Sequence, residues 1–224
     1  MGDIHLTPAE LALAEARTAL EKKDPGAAVQ AFDRARAAGA SPKLTSRPHA
    51  LALSDLGRHD EAVIAFRPWF EKNPKDAATV NLMGLLFKRA GQLPQALATL
   101  ETARRLRPQD ASVWQNLGNV QELLGQSEKA LQSYRTALKI APKSAELWRL
   151  AGRQQAALGQ LEEASRSFQH GLRLAPKDLV LIALLVQSLQ RMGRIGEART
   201  LVERLRAAHP AETEIAVIAA RLAF

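Results

Sequence analysis

Small and large apolar residues are interspersed with polar ones along this chain in a pattern that repeats every 34 residues. The small residue is an alanine in all six copies of the pattern, at Ala28, Ala62, Ala96, Ala130, Ala164 and Ala198. A large residue follows each alanine four positions later, at Phe32, Phe66, Leu100, Tyr134, Phe168 and Val202. Residues four apart lie on one face of a helix, and a period of this length predicts stacked copies of one helical unit.

One copy of the pattern, residues 77–110, predicts two helices joined by a tight turn. Its first half places apolar or small residues at helical spacing, at Val80, Met83, Gly84 and Phe87. Gly91 suits the left-handed end of this helix, Pro94 suits the first turn of a second helix, and Pro108 ends the copy. Because one helix pair cannot bury its apolar face alone, we expect neighbouring pairs to stabilise each other.

The period divides the chain into a lead-in, six repeats and a final segment. The lead-in is residues 1–8, the repeats are residues 9–42, 43–76, 77–110, 111–144, 145–178 and 179–212, and the final segment is residues 213–224. Apolar residues at Ile215, Ile218 and Leu222 predict that the final segment is helical. Two interpretations stay open for it: a helix that caps the last repeat, or the first helix of a truncated seventh repeat in a longer protein.

Repeats 1 and 2 depart from the common pattern. Lys23 stands where the other repeats have the glycine of the turn. Pro48 falls inside the expected first helix of repeat 2, which predicts a short helix that begins near Ser46 as its N-cap. Pro68 should bend the second helix, and Trp69 replaces a small residue there. This bulky cluster is either repeat-specific packing or a surface for binding or dimerisation.

Composition favours helices and supplies no recognisable catalytic chemistry. Alanine, leucine, arginine, glutamate and glutamine dominate, whereas aromatic residues make up only 4% of the chain, so no sheet is expected. The chain has no cysteine, and no two of its five histidines have metal-ligand spacing. No phosphate-binding glycine loop, serine-hydrolase motif or zinc-protease motif occurs. We therefore expect no enzyme activity, no cofactor and no small-molecule substrate within these residues.

The net charge of +8 raises the question of an anionic partner. Many of the cations lie near the carboxyl ends of the predicted second helices, where the helix dipole favours them, at Arg36, Lys72, Arg104, Lys139, Arg173 and Arg206. The predicted first helices offer no surface aromatic residues for base stacking, which argues against nucleic acid. No apolar stretch reaches the roughly 20 residues of a membrane span, and no signal pattern opens the chain, so we expect a cytoplasmic protein without a membrane partner.

The central repeats carry a specific motif in addition to their period. In residues 111–144 the motif positions are Trp114, Leu117, Gly118, Gly125, Ala130, Tyr134, Ala137 and Pro142. This order and spacing resemble the tetratricopeptide repeat (TPR) family. The resemblance implies an all-α fold, a right-handed superhelical solenoid of antiparallel helix pairs, in which the first helices line an inner, concave groove.

The resemblance places the partner-binding groove on the first helix of each pair. The corresponding residues are Asn81, Leu82, Leu85, Lys88, Arg89, Gln115, Asn116, Asn119, Glu122, Leu123, Arg149, Leu150, Arg153, Leu184, Gln187 and Arg191. Amides can hydrogen-bond an extended backbone, arginines can bind carboxylates in a bidentate manner, and leucines can hold an apolar side chain. We therefore expect a peptide or a partner helix in this groove.

Two specialised grooves of the family do not fit this sequence. A clamp for C-terminal carboxylates needs a lysine where Gln115 stands. The asparagine ladder of O-linked N-acetylglucosamine transferases matches only at Asn116, because leucines occupy the equivalent positions Leu82, Leu150 and Leu184. The groove therefore predicts polypeptide binding without naming the partner.

The sequence thus favours a protein–protein interaction module, and the resemblance implies the substrate-recognition or partner-recognition domain of a larger bacterial protein such as a glycosyltransferase or sulfotransferase. The alternative is a free-standing scaffold for the assembly of pili, a secretion machine or another complex. Self-association through repeat 2 or the final helix stays open. Changing Arg149 and Arg153 together to glutamate is expected to abolish partner binding without changing helicity or melting.

Overall fold

A computed structural model describes residues 6–208 of the chain, and within this range the backbone forms twelve helices and no strand. The helices are α1 (Pro8–Glu21), α2 (Pro25–Ala37), α3 (Pro42–Asp55), α4 (His59–Lys72), α5 (Ala77–Arg89), α6 (Leu93–Leu106), α7 (Ala111–Leu123), α8 (Ser127–Ile140), α9 (Ala145–Ala157), α10 (Leu161–Leu174), α11 (Leu179–Arg191) and α12 (Ile195–Ala208). The helix predicted for residues 213–224 lies outside the described residues.

The helices pack in chain order, in two compact units. The N-terminal unit, residues 1–108, contains α1 to α6, and the C-terminal unit, residues 109–224, contains α7 to α12. In each unit every odd-numbered helix packs on the helix that follows it, and consecutive pairs pack on each other. The prediction of an all-α stack of helix pairs is therefore confirmed for both units.

Side-chain caps explain where most of the first helices begin. Thr7 and Glu10 form a capping box at the start of α1. Acidic or hydroxyl side chains accept hydrogen bonds from backbone N–H groups at the start of α5, α7, α9 and α11, namely Asp76, Asp110, Ser144 and Asp178. These oxygens satisfy donors that have no partner inside the helix, and the carboxylates also favour the positive end of the helix dipole.

The turns between the two helices of a pair share one left-handed residue. Gly91 has φ +71°, and glycines occupy the same position in the four other turns that follow this pattern. In repeat 1 this position is Lys23, which adopts the same conformation with φ 56°. Lys23 therefore replaces the glycine without changing the turn, although a side chain makes this conformation unfavourable.

Close helix packing depends on the glycines at the small positions of the first helices. A Cβ atom added to Gly84 would lie 2.6 Å from Leu100 Cγ, and one added to Gly118 would lie 2.6 Å from Tyr134 Cε1. Leu100 and Tyr134 are fully buried, so neither can move outwards without opening the core. The two glycines thus allow the helices of each pair to approach closely.

The first helix of repeat 2 is longer than Pro48 suggests. The prediction that its first helix begins near Ser46 and is short is wrong, since α3 begins at Pro42 and continues through Pro48. Proline at position 48 removes one backbone hydrogen bond from the helix. Thr45, His49 and Ala52 lie on one buried face of α3, and this burial offsets the loss.

Candidate functional site

Two of the leucines assigned to the predicted groove lie in the core. Leu82 on α5 has 8% of its surface exposed, and Leu150 on α9 has 5%. Leu150 packs among buried residues of α8 and α9, including Leu131 and Tyr134. The assignment of Leu82 and Leu150 to a partner-contacting surface therefore needs correction, because a partner cannot reach residues that the neighbouring helices cover.

The polar residues of α7 form a network around a buried tyrosine. The hydroxyl of Tyr134 on α8 lies 2.8 Å from Asn119 Oδ1 and 2.9 Å from Glu122 Oε2, and it donates to one of them at a time. Arg153 on α9 forms an ion pair with Glu122 at 2.8 Å. Burial and the negative charge of Glu122 raise the pKa of Tyr134 well above its usual value, so the hydroxyl stays protonated and remains a donor. The network fixes side chains from α7 and α9 beside each other.

Arg149 lies four residues before Arg153 on α9, and it is also paired. Both oxygens of Glu146 accept hydrogen bonds from it, at 2.8 Å from Nε and 2.7 Å from Nη2. Arg149 is half-buried, and its partner is exposed. A bidentate pair orients the guanidinium group, so α9 presents two positioned arginines rather than two flexible ones.

The other predicted residues of the C-terminal unit differ in exposure. Leu123 at the end of α7 is 59% exposed, whereas Leu184 on α11 is half-buried. Gln187 and Arg191 are exposed on α11, and Arg191 Nη1 donates to the backbone oxygen of Ala156 at 3.3 Å. Two further amides of α7 are half-buried, namely Gln115 and Asn116. The first helices of this unit thus carry an amide-rich and arginine-rich surface.

In the N-terminal unit the predicted residues lie on α5. Asn81 and Leu85 are half-buried, and Arg89 is exposed and donates from Nη1 to Ser54 Oγ at 2.9 Å and to Asp55 Oδ1 at 3.2 Å. Burial, together with the neighbouring positive charge of Arg89, lowers the pKa of the half-buried Lys88. Cations therefore lie on the first helices in both units.

The hydrogen bonds of Tyr134 were missed from sequence, because its position in the repeat predicts only packing. The chain contains one tyrosine, and the equivalent positions in the other repeats carry Phe, Leu or Val. A buried tyrosine hydroxyl needs a hydrogen-bond partner. Its occurrence at a phenylalanine position was therefore the signal that a polar group of α7 lies within reach.

A metal site needs several ligating side chains close together, and a membrane-spanning helix must be long and apolar. No group of three His, Cys, Asp or Glu residues in residues 6–208 is arranged to hold a metal ion. None of the helices described is both long enough and apolar enough to cross a membrane.

This architecture defines a class: helical-repeat proteins that present surfaces of stacked helix pairs. Tetratricopeptide repeat models match residues 81–145 and residues 155–222, which together are more than half of the chain. The chain belongs to the tetratricopeptide repeat family. Repeats of this family generally mediate protein–protein interactions, and its members are typically non-catalytic scaffolds.

Solved structures of the same fold come from several bacteria. Pseudomonas aeruginosa pilF is 13% identical with a TM-score of 0.72, and the match covers 96% of this chain and 97% of pilF. MamA (residues 41 to the end) from Desulfovibrio magneticus RS-1 is 21% identical with a TM-score of 0.67, covering 80% of this chain and 98% of MamA. A thermophilic TPR protein of Thermus thermophilus is 23% identical with a TM-score of 0.64, covering 81% of this chain and 99% of that protein. No curated protein matches the chain in sequence.

Proposed function

We propose that the chain binds a polypeptide on the surface formed by the first helices of the C-terminal unit, α7, α9 and α11. The observation that carries this proposal is the network of Tyr134, Asn119, Glu122 and Arg153. It holds polar side chains of two adjacent first helices in place before any partner arrives. Side chains that are already ordered lose less conformational entropy on binding, so their hydrogen bonds contribute more to affinity.

The chemistry of this surface suits an extended peptide or a helix with acidic side chains. The amide nitrogen of Asn119 remains a donor when its oxygen accepts from Tyr134. Arg153 uses one nitrogen for Glu122, and Arg149 faces Glu146, so both guanidinium groups keep N–H donors for a partner. Backbone oxygens and carboxylates are the acceptors that these donors fit.

A selection experiment tests the proposal and requires no candidate partner. A phage-displayed library of random peptides is selected on the immobilised full chain, and the affinity of each selected peptide is measured by fluorescence anisotropy. Arg149→Glu combined with Arg153→Glu should weaken binding at least about tenfold, since truncating or reversing a positioned charge at an interface costs roughly 2 kcal/mol or more. The expected peptides carry Asp, Glu or a free carboxylate.

A matched variant controls for the change in net charge. Arg135→Glu combined with Arg166→Glu makes the same change on the second helices α8 and α10, where both arginines are exposed. This variant should bind the selected peptides as the original chain does. If no peptide is enriched, or if both double variants lose the same affinity, the proposed surface is wrong.

The ion pair of Arg153 changes the expectation that the double variant Arg149→Glu, Arg153→Glu melts like the original chain. Arg153→Glu places a carboxylate beside Glu122, so a small loss of stability is expected instead of none. Arg153 is exposed and Glu122 is half-buried, and ion pairs at the protein surface contribute about 0.2–1 kcal/mol. Circular dichroism of the double variant should therefore show unchanged helicity at room temperature with a slightly lower melting temperature.

The biological role that we propose is recognition of a protein substrate or partner for a larger bacterial protein, such as a glycosyltransferase or sulfotransferase. The alternative role is a free-standing scaffold for pili, secretion or another assembly, with self-association through repeat 2 or residues 213–224. The coding sequence that surrounds this chain in its genome tests the first role. A catalytic domain fused to the repeats supports it, and a gene that encodes the repeats alone favours the scaffold.

A further inference from the structure

An apolar groove runs between the second helices α10 and α12 of the C-terminal unit, with α11 as its floor. The volume of this open groove is about 740 Å³. Five leucines line it, namely Leu172, Leu185, Leu189, Leu201 and Leu205. Leu185 and Leu189 are buried at its base, whereas the other three are half-buried along its walls. We call this feature the leucine groove.

The preceding repeat shows that the leucine groove is not a general property of the fold. A cavity at the same register, between α8, α9 and α10, has about 370 Å³. The residues 34 positions before the five leucines are Leu138, Ala151, Gln155, Ser167 and Gly171. Four of the five leucines therefore replace a small or polar residue, and the later groove is about twice as large.

The leucine groove lies on a different side of α11 from the surface proposed above. Leu185 and Leu189 line the groove, whereas Gln187 is exposed and lies two positions from each of them. Two residues along an α-helix correspond to a rotation of about 200°. A partner in the leucine groove therefore leaves the polar side of α11 uncovered.

The charges at the rim of the leucine groove indicate what it accommodates. Arg173 and Arg204 line the rim, and among the described residues neither forms an ion pair with a carboxylate. Arg173 instead contacts His170 Nδ1 at 2.6 Å. The rim carboxylate Glu197 accepts two hydrogen bonds of 2.6 Å from Arg194, so its charge is already compensated. The rim is thus cationic around an apolar base.

We infer that the leucine groove binds an amphipathic helix of a partner protein, with leucine-sized side chains on one face and Asp or Glu beside them. Such a helix places apolar residues at i, i+3, i+4 and i+7, and a groove between two helices accepts that row. The groove volume suits several such side chains, and the acidic residues would pair with Arg173 and Arg204. This second surface would let the chain hold two polypeptides at once.

The probe for this inference is a synthetic peptide of about 18 residues, a length at which a helix can form on binding. It carries leucines at the i, i+3, i+4 and i+7 positions and glutamates at most others, with a fluorescent label. A control peptide has the same composition in an order that breaks the helical period. Fluorescence anisotropy with the full chain should show saturable binding of the first peptide and at least about tenfold weaker binding of the second.

Variants of the chain locate the binding. The double variant Leu201→Ser, Leu205→Ala introduces residue types that earlier repeats carry at the same positions, namely Ser167 and Ala137. It should lower the affinity for the peptide at least about tenfold. Arg204→Glu should weaken it as well, and its matched control Arg199→Glu, an exposed arginine of α12 outside the groove, should not. The double variant Arg149→Glu, Arg153→Glu should bind the peptide normally, which separates this test from that of the proposed function.

Three results would overturn the inference. The control peptide could bind as tightly as the periodic one, Arg199→Glu could weaken binding as much as Arg204→Glu, or the full chain could fail to bind either peptide. A fourth result assigns the groove to another occupant: a dimer of the chain in analytical ultracentrifugation that the Leu201→Ser, Leu205→Ala variant abolishes. In that case the leucine groove is an interface between two copies.

Discussion

At the scale of single residues, the ring and the hydroxyl of Tyr134 make different kinds of contact. Its ring fills a buried position that Phe168 fills in the next repeat, so the ring itself needs no polar partner. The hydroxyl instead reaches Asn119 and Glu122, which lie on the surface proposed for partner binding. One oxygen atom thus connects the core of the C-terminal unit to its exposed polar side chains.

Replacing Tyr134 with phenylalanine tests this connection. Packing should be preserved, and the free energy of unfolding should fall by about 1 kcal/mol because one hydrogen bond is lost while Glu122 and Asn119 can still reach water. Peptides selected on the original chain should bind more weakly, since Asn119 and Glu122 lose their orientation. Urea denaturation and anisotropy measure the two effects. Unchanged affinity would show that the network does not prepare the surface.

At the scale of helices, glycine has opposite effects in tight and open positions. Gly118→Ala should destabilise the C-terminal unit by about 1–2 kcal/mol, since the added Cβ meets the buried ring of Tyr134 and this overpacking exceeds the gain in helix propensity. Gly196 on α12 has nothing within 4 Å of an added Cβ, so Gly196→Ala should be neutral or stabilising by up to about 1 kcal/mol. Thermal melts of both variants, followed by circular dichroism, give the comparison. Equal losses in both would contradict the packing argument.

The helices are also where sequence and structure can best be compared. The bounds of α5 and α6 follow from Gly91, Pro94 and the apolar spacing, because turns and helix ends depend on residues close in sequence. Pro48 misled the prediction for α3, since the burial that offsets its lost hydrogen bond comes from neighbouring helices. Leu150 was placed in the groove by the family resemblance, which identifies the helix, whereas the exposure of Leu150 depends on the residues of α8 that pack against it.

At the scale of the whole molecule, regular repetition coexists with features that belong to one unit only. Both units are built from the same kind of helix pair, and the 34-residue spacing of the alanines predicted this repetition. The leucine groove belongs to the C-terminal unit, and a buried histidine belongs to the N-terminal unit. Such differences arise where a residue differs in type from the residue 34 positions away in the neighbouring repeat. They therefore show where each unit departs from the common repeat.

The buried histidine makes the stability of the N-terminal unit depend on pH. Burial lowers the pKa of His49, and the positive charges of Arg36 and Arg58 lower it further, while Asp33 and Glu61 oppose the shift. Arg36 Nη1 lies 3.1 Å from His49 Nδ1, so the neutral ring accepts a hydrogen bond from Arg36 that protonation would remove. The folded unit therefore favours neutral His49 more than the unfolded chain does.

The sign of the effect follows from these two pKa values. The unfolded pKa is about 6.5, so the stabilisation is present above that pH and is lost as the pH falls from about 6.5 towards the lower pKa of the folded state. The melting temperature of the full chain should therefore decrease between pH 7.5 and about pH 5.5, a range above the titration of ordinary carboxylates. His49→Gln can still accept from Arg36 but does not titrate, so it should remove most of this decrease. A decrease of the same size in His49→Gln would assign the pH dependence to other groups, and the pKa of His49 would then be the same in the folded and unfolded chain.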